Sequence, residues 1–100
     1  MQMVVLIVDD HPQESKLLTR ELTVDGYQVK VIDKADMIWI NISVHEPDLV
    51  LLNCISDRFE SFELLVDIKE VYPHLPVLVY IINSIDALVD LKETVNFLLQ

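Results

Sequence analysis

The stretch VVLIVDDHP, residues 4–12, decides the fold prediction. The apolar run Met3–Val8 is typical of a strand buried on both faces of a parallel sheet. Two acids, Asp9 and Asp10, follow at once, and Pro12 suits the first turn of a helix. A second stretch, PDLVLLNC at residues 47–54, has the same form but ends on the neutral amide of Asn53.

Apolar runs and helical periodicity alternate along the rest of the chain. The predicted strands are Met3–Val8, Tyr27–Ile32, Leu49–Leu52, Val77–Ile82 and Val95–Leu99. The predicted helices start at Pro12 and end at Gly26, cover Lys34–Val44, run from Phe59 to Tyr72, and follow a Ser84 cap with Ile85, Leu88 and Val89 inward. This alternation predicts an α/β fold, a doubly wound parallel five-stranded sheet with helices on both faces, as one domain over residues 1–100.

Composition excludes several classes of protein. The net charge of −10, from 17 acidic and 7 basic residues, disfavours direct contact with nucleic acid. The apolar runs are too short to span a membrane and no signal peptide precedes them, so we expect a cytoplasmic protein, with which the lone Cys54 agrees. A single glycine, Gly26, excludes a glycine-rich phosphate loop, and the three histidines, His11, His45 and His74, are expected at the surface.

Three polar residues, Asp9, Asp10 and Asn53, follow predicted strands at their carboxyl ends. In open parallel sheets ligands bind at this edge, so we expect the three side chains to share one pocket. Two adjacent carboxylates suit a hard cation such as Mg²⁺. The alternative is that both acids only cap the helix that follows, and spacing does not separate the two interpretations.

The segments VLIVDDHPQESKLLTREL, DGYQV, PDLVLLN and SFELLVDIKEVYPHLPVLV, in this order and spacing, resemble the receiver (CheY-like) domain of bacterial two-component response regulators. The resemblance covers Met3 to about Ile82. It implies a flavodoxin-like domain of five strands and five helices, in which the acids matching Asp9 and Asp10 hold Mg²⁺. In that family an aspartate ending the third strand accepts a phosphoryl group from a histidine kinase. A Ser or Thr ends the fourth strand and a Lys ends the fifth, and both contact the phosphoryl oxygens.

This sequence departs from the family pattern at each of those last positions. Asn53 stands at the phosphoacceptor position, Ile81 at the Ser/Thr position and Gln100 at the Lys position, if Val95–Gln100 is the fifth strand. A carboxamide is a poor nucleophile and cannot form the acyl phosphate. We therefore expect a degenerate receiver that is not phosphorylated, is not an enzyme, and binds Mg²⁺ weakly through Asp9 and Asp10.

The sequence ends before the fifth helix that the resemblance implies. In the family this helix and the first one cover one face of the sheet. We therefore expect a bare face that includes Val95, Phe97 and Leu99, left by truncation or used for a homodimer. Exposed edge strands offer a second route to pairing.

Three functions are compatible with the sequence. The first is a receiver-like module that regulates a protein partner, a histidine kinase or another signalling protein, without accepting phosphate. The second is Mg²⁺-dependent phosphoryl transfer onto another acid, Asp10 or Asp57. The third is a small-molecule site on the same fold, since one fold hosts many functions. The departures at Asn53, Ile81 and Gln100 favour the first.

Overall fold

The structure, a computed structural model, describes residues 2–53 and 60–100. Predictions that fall on Cys54, on Asp57 and on Phe59 as a helix start therefore lie outside the described residues. The elements, in chain order, are β1 (Val4–Val8), α1 (Pro12–Val24), β2 (Gln28–Ile32), α2 (Ile38–His45, preceded by a 3₁₀ turn at Ala35–Met37), β3 (Leu49–Asn53), α3 (Glu60–Val71), β4 (Val77–Tyr80) and α4 (Ile85–Leu99).

All four strands of the sheet are parallel, in the order β2-β1-β3-β4. The central strands β1 and β3 are almost wholly apolar, because helices cover both of their faces. Helix α1 ends at Val24, and Gly26 terminates it as predicted, because its φ of 99° is the left-handed conformation that glycine adopts without strain. The amide of Gly26 donates to the carbonyl of Thr23 and that of Tyr27 to Leu22, which is a Schellman motif that turns the chain into β2.

The core consists of one apolar layer on each face of the sheet. On one face, α1 and α4 bury side chains against alternate residues of β1 and β3; these side chains include Leu18, Leu22, Leu88 and Val95. On the other face, α2 and α3 bury Ile38, Ile42 and Ile68. Among the described residues, no helix is long and apolar enough to cross a membrane.

The C-terminal prediction is wrong. Val95–Leu99 is not a fifth strand but the last part of α4, and the described sheet has four strands. Ser84 caps this helix by accepting a hydrogen bond from the amide of Ala87 at 3.1 Å. No Gly or Pro interrupts the segment, and its inward residues recur at helical spacing, at Leu88, Leu91, Val95 and Leu99.

The prediction of a bare face is also wrong. Helix α4 lies against the sheet beside α1, where the resemblance places the family's last helix. Val95 is fully buried and Leu99 packs on the core, whereas Phe97 is 85% exposed. Of the residues predicted to point inward at the start of this helix, only Leu88 is buried; Ile85 and Val89 are exposed. A homodimer through a face left open by a missing helix therefore has no basis in this structure.

Candidate functional site

The predicted pocket forms at the carboxyl edge of the sheet. Asp9 directly follows β1, and Asn53 is the last residue of β3, the strand that pairs with β1. Tyr80, the last residue of β4, is the register partner of Asn53. Since parallel strands end at one edge, these three side chains converge, and Asp9 is buried among them.

Three donors of this chain satisfy the Asp9 carboxylate. The backbone amide of His11 donates to Oδ1 at 2.7 Å, the Asn53 amide nitrogen donates to Oδ2 at 2.9 Å, and the Tyr80 hydroxyl donates to Oδ2 at 2.6 Å. A buried charge needs such partners, since an unpaired carboxylate in the interior would cost several kcal/mol or take up a proton. Asp9 is thus held by neutral donors.

Asn53 bridges two acids. Its amide nitrogen also donates to Oε2 of Glu14, at 2.8 Å. Glu14 is the third residue of α1, in the first turn, where negative charge is favoured by the helix dipole. A carboxylate in place of this amide would face Asp9 and Glu14 with no proton to share and would be repelled by both. The neutral residue at the end of β3 therefore fits the site as built.

The second acid of the predicted pair has different surroundings. The side chain of Asp10 is 47% exposed, and its Oδ1 lies 3.1 Å from Nδ1 of His11. The same His11 nitrogen is 3.5 Å from Oδ1 of Asp9, so a protonated imidazole would pair with both acids. The sequence placed His11 only at the surface. It is half exposed, but its position directly after the acid pair was a usable signal for this contact.

Tyr80 and Glu14 are the site residues that the sequence analysis missed. Burial, reinforced by the hydrogen bond to Asp9, raises the pKa of Tyr80 far above that of a free tyrosine, so the hydroxyl stays protonated and donates. Alignment of strand ends could have indicated Tyr80, since it ends β4 as Asn53 ends β3. The contact of Glu14 depends on how α1 sits on the sheet, which no local pattern encodes.

The other two predicted site residues do not join the pocket. Ile81 is an exposed residue just after β4 and makes none of the polar contacts described above. Gln100 lies at the end of α4 and donates to the hydroxyl of Tyr27 at 3.0 Å. Because Tyr27 precedes β2, Gln100 is at the amino edge of the sheet, opposite Asp9.

A cavity of about 390 Å³ opens at the carboxyl edge. Its lining is mainly acidic and includes one basic residue, Lys34. The polar lining residues are Asp9, Asp10, Asp33, Lys34, Asp36, Asn53 and Ser61. The negative field of these acids disfavours phosphate groups and favours cations.

The side chains present can be tested against a divalent cation. Ligand atoms of Asp9, His11 and Glu14 lie within 4.8 Å of one another, a spacing that could hold an ion. Oxygen donors suit Mg²⁺, and Asp9 and Glu14 supply them. Both carboxylates, however, already accept the Asn53 amide, so a cation at Asp9 would compete with donors of this chain.

The sequence model of the protein family described as response regulator receiver domain matches residues 5–94 of this chain. The chain belongs to this family. This receiver domain is 33% identical over 75 residues to the DNA-binding transcriptional regulator NtrC of Bradyrhizobium sp., a match that covers 75% of the chain but 16% of the relative. The chain thus spans about a sixth of the length of this relative.

Solved receiver structures share the fold of this domain. The response regulator TrrA of Thermotoga maritima, solved with Mg²⁺ and BeF, superimposes with a TM-score of 0.84 at 22% identity, over 98% of this chain and 100% of TrrA. TrrA in complex with the histidine kinase ThkA superimposes with a TM-score of 0.81 at 23% identity, over 99% and 100% of the two chains. Receiver domains are signalling modules of two-component systems, and this domain is one of them by sequence and fold.

Proposed function

We propose that this receiver domain is atypical: it regulates a protein partner through non-covalent contact, and Asn53 does not accept a phosphoryl group. One observation carries the proposal. The amide of Asn53 occupies the end of β3 and is bonded to two carboxylates, Asp9 and Glu14. An amide nitrogen is a poor nucleophile, and its protons are committed to these acids. Ile81, at the position matched to the family's hydroxyl, supports the same conclusion.

Mg²⁺ binds weakly in this proposal. Asp9 and Asp10 would hold the ion, as the resemblance implies, with Glu14 close enough to contribute. When bound, the ion would neutralise negative charge at the carboxyl edge. The Asn53 and Tyr80 donors oppose it, because each must give up or share its bond to Asp9. We therefore expect weaker Mg²⁺ binding by this chain than by an Asn53→Asp variant.

The partner is a protein in this proposal. The TrrA complex supports a histidine kinase as the class of partner, and another signalling protein is the alternative. The net charge of −10 supports the absence of direct nucleic-acid contact by this domain. The same proposal places the function in the cytoplasm, where a lone cysteine remains reduced.

The test is intact-mass spectrometry after incubation with Mg²⁺ and acetyl phosphate. We expect no phosphorylated product for the natural sequence. Asn53→Asp is measured alongside, as is Asn53→Asp combined with Glu14→Gln, which removes one of the facing carboxylates. A phosphorylated variant shows that donor and Mg²⁺ are competent. Phosphorylation of the natural chain would overturn the proposal, and peptide mapping would then show whether Asp10 or Asp57 had reacted.

A small-molecule site at the same edge has less support. The cavity of about 390 Å³ falls within the usual range for ligands. Its acidic lining, however, opposes the phosphates of a nucleotide or flavin cofactor. Isothermal titration calorimetry with a nucleotide would detect such binding, and we expect no heat of binding.

A further inference from the structure

The outer edge of β4 is the open edge of the described sheet. β4 pairs with β3 on one side, and no strand among residues 2–53 and 60–100 pairs with it on the other. The Val50 amide donates to the Pro76 carbonyl at 3.0 Å, which fixes the ladder. Because backbone groups alternate in direction along a strand, those of Val77 and Val79 point away from β3.

An apolar groove runs along this edge, between α3 and α4. It has a volume of about 560 Å³, and its apolar wall includes Leu65 and Val66 of α3, Leu78 of β4 and Leu98 of α4. The strand itself, Val-Leu-Val-Tyr, contains no charge and no proline. Natural proteins protect their edge strands with lysine, proline or bulges, and this edge has none of these within β4.

We propose that a second copy of this chain pairs with this edge, strand β4 against strand β4 in antiparallel orientation. A two-fold axis at Leu78 brings Val77 opposite Val79 of the second copy. The outward amide and carbonyl of each valine then exchange hydrogen bonds with the other, twice by symmetry. The result is a continuous eight-stranded sheet across the dimer. This inference does not depend on the phosphorylation state of the domain.

Self-complementarity favours a second copy over another protein. The two outward valines are two residues apart, so a two-fold axis satisfies the same backbone groups on both chains without any change in register. Charge is the opposing factor, since each chain carries −10. The groove, however, is lined by one base and one acid, Lys69 and Glu70, and more distant charges are screened beyond about 8 Å at physiological salt.

The size of the interface indicates how tightly the dimer should bind. A standard interface buries about 800 Å² per partner, roughly an eighth of the 6331 Å² that this chain exposes. The paired strand has only four residues, with a helix on each side, so we expect an interface at the lower end of the range of known sizes. We therefore expect a reversible dimer with a Kd in the micromolar range, about 1–100 μM.

The test is sedimentation velocity across that range of concentration, with two matched substitutions. Val66→Lys places a charge in the groove, and Ile40→Lys places the same charge on α2, away from it; both residues are 55% exposed. We expect Val66→Lys to raise the Kd by about tenfold or more, and Ile40→Lys to leave it unchanged. Raising the salt concentration should tighten the dimer, since it screens the net charge.

A backbone variant tests the pairing itself. Val79→Pro removes an outward amide proton and so spares the ladder with β3. We expect a monomer with an unchanged circular dichroism spectrum. If this variant fails to fold, the comparison of Val66→Lys with Ile40→Lys still decides. The proposal is overturned if the natural chain stays monomeric throughout, if Val66→Lys dimerises normally, or if Ile40→Lys weakens the dimer equally.

Discussion

Asn53→Asp should destabilise the domain in the absence of Mg²⁺. The natural amide donates to Asp9 at 2.9 Å and to Glu14 at 2.8 Å. The substitution removes both donors and brings a third carboxylate into contact with two others. A hydrogen bond to a charged group contributes about 1.5–3 kcal/mol, and we halve the sum because Asn53 and Glu14 are only partly buried. Repulsion among the three carboxylates adds to this loss. We therefore expect the free energy of unfolding at pH 7 to fall by about 2–4 kcal/mol.

The assay is urea denaturation at pH 7, with EDTA or with Mg²⁺. Asn41→Asp is the matched control, because it adds the same charge and removes one amide bond, that to the carbonyl of Met37, at an exposed site. We expect the control to change the free energy of unfolding by no more than about 1 kcal/mol. Mg²⁺ should restore much of the loss in Asn53→Asp and have little effect on the natural chain, since only the variant offers the ion a third carboxylate.

The pH dependence of Asn53→Asp has a definite sign. Facing carboxylates raise the pKa of a carboxyl group in the folded state above its unfolded value of about 4. Such a group contributes stability below its unfolded pKa and loses it as the pH rises through the folded pKa. The deficit relative to the natural chain should therefore shrink as the pH falls from 7 towards 5. A variant as stable as the natural chain in EDTA, or stabilisation of both by Mg²⁺ to the same extent, would refute the proposed role of the amide.

Further substitutions test the network and the last helix. Tyr80→Phe removes a donor to buried Asp9 and should lower the free energy of unfolding by about 1–3 kcal/mol in urea denaturation. Because the pKa of Tyr80 is raised in the folded state, the natural chain should lose stability as the pH rises above about 10. Tyr80→Phe should reduce that loss. The same dependence of the free energy of unfolding on pH above about 10 in both proteins would contradict this. Ser84→Ala removes the cap of α4 and should cost about 1 kcal/mol, measured in the same way, with Ser84→Asp as a control that keeps the cap. Val95→Ala should cost about 2–3 kcal/mol and Phe97→Ala less than about 1, whereas equal costs would contradict the helix.

The sequence predicted the first four strands because each has a strong local signal. Uninterrupted apolar runs mark β1 and β3, and Gly26 marks the end of α1. The prediction for the last segment was wrong because Val95–Leu99 is apolar enough to resemble a short buried strand when taken alone. The helical spacing of Leu88, Leu91, Val95 and Leu99 becomes apparent only when the whole segment after Ser84 is considered.

The candidate site was predictable only in part, for a physical reason. Asp9 and Asn53 follow strands, and the rule that parallel strands end at one edge brings them together. The acceptor Glu14 and the donor Tyr80 reach them from a helix and from another strand, at sequence separations of 39 and 71 residues within their hydrogen-bonded pairs. Gln100 was assigned by counting strands, so the error in the fifth strand also misplaced it.

The absence of a fifth strand from the described sheet links the two proposals. In the family that strand carries the lysine that contacts the phosphoryl group, and it is the strand that ends on that residue at the carboxyl edge. Here α4 follows β4 directly and lies beside α1, so no residue of it reaches Asp9 in the described contacts, and the far side of β4 is left unpaired. Under the proposed function, this one difference in topology both removes the position of the family's lysine and leaves the outward backbone groups of Val77 and Val79 unpaired in the described sheet. Asn53 and Tyr80 donate hydrogen bonds that stabilise Asp9. Under the proposed function these bonds explain how the pocket keeps its structure without being phosphorylated. Signalling by contact then requires only that a surface be available, and the β4 edge is one.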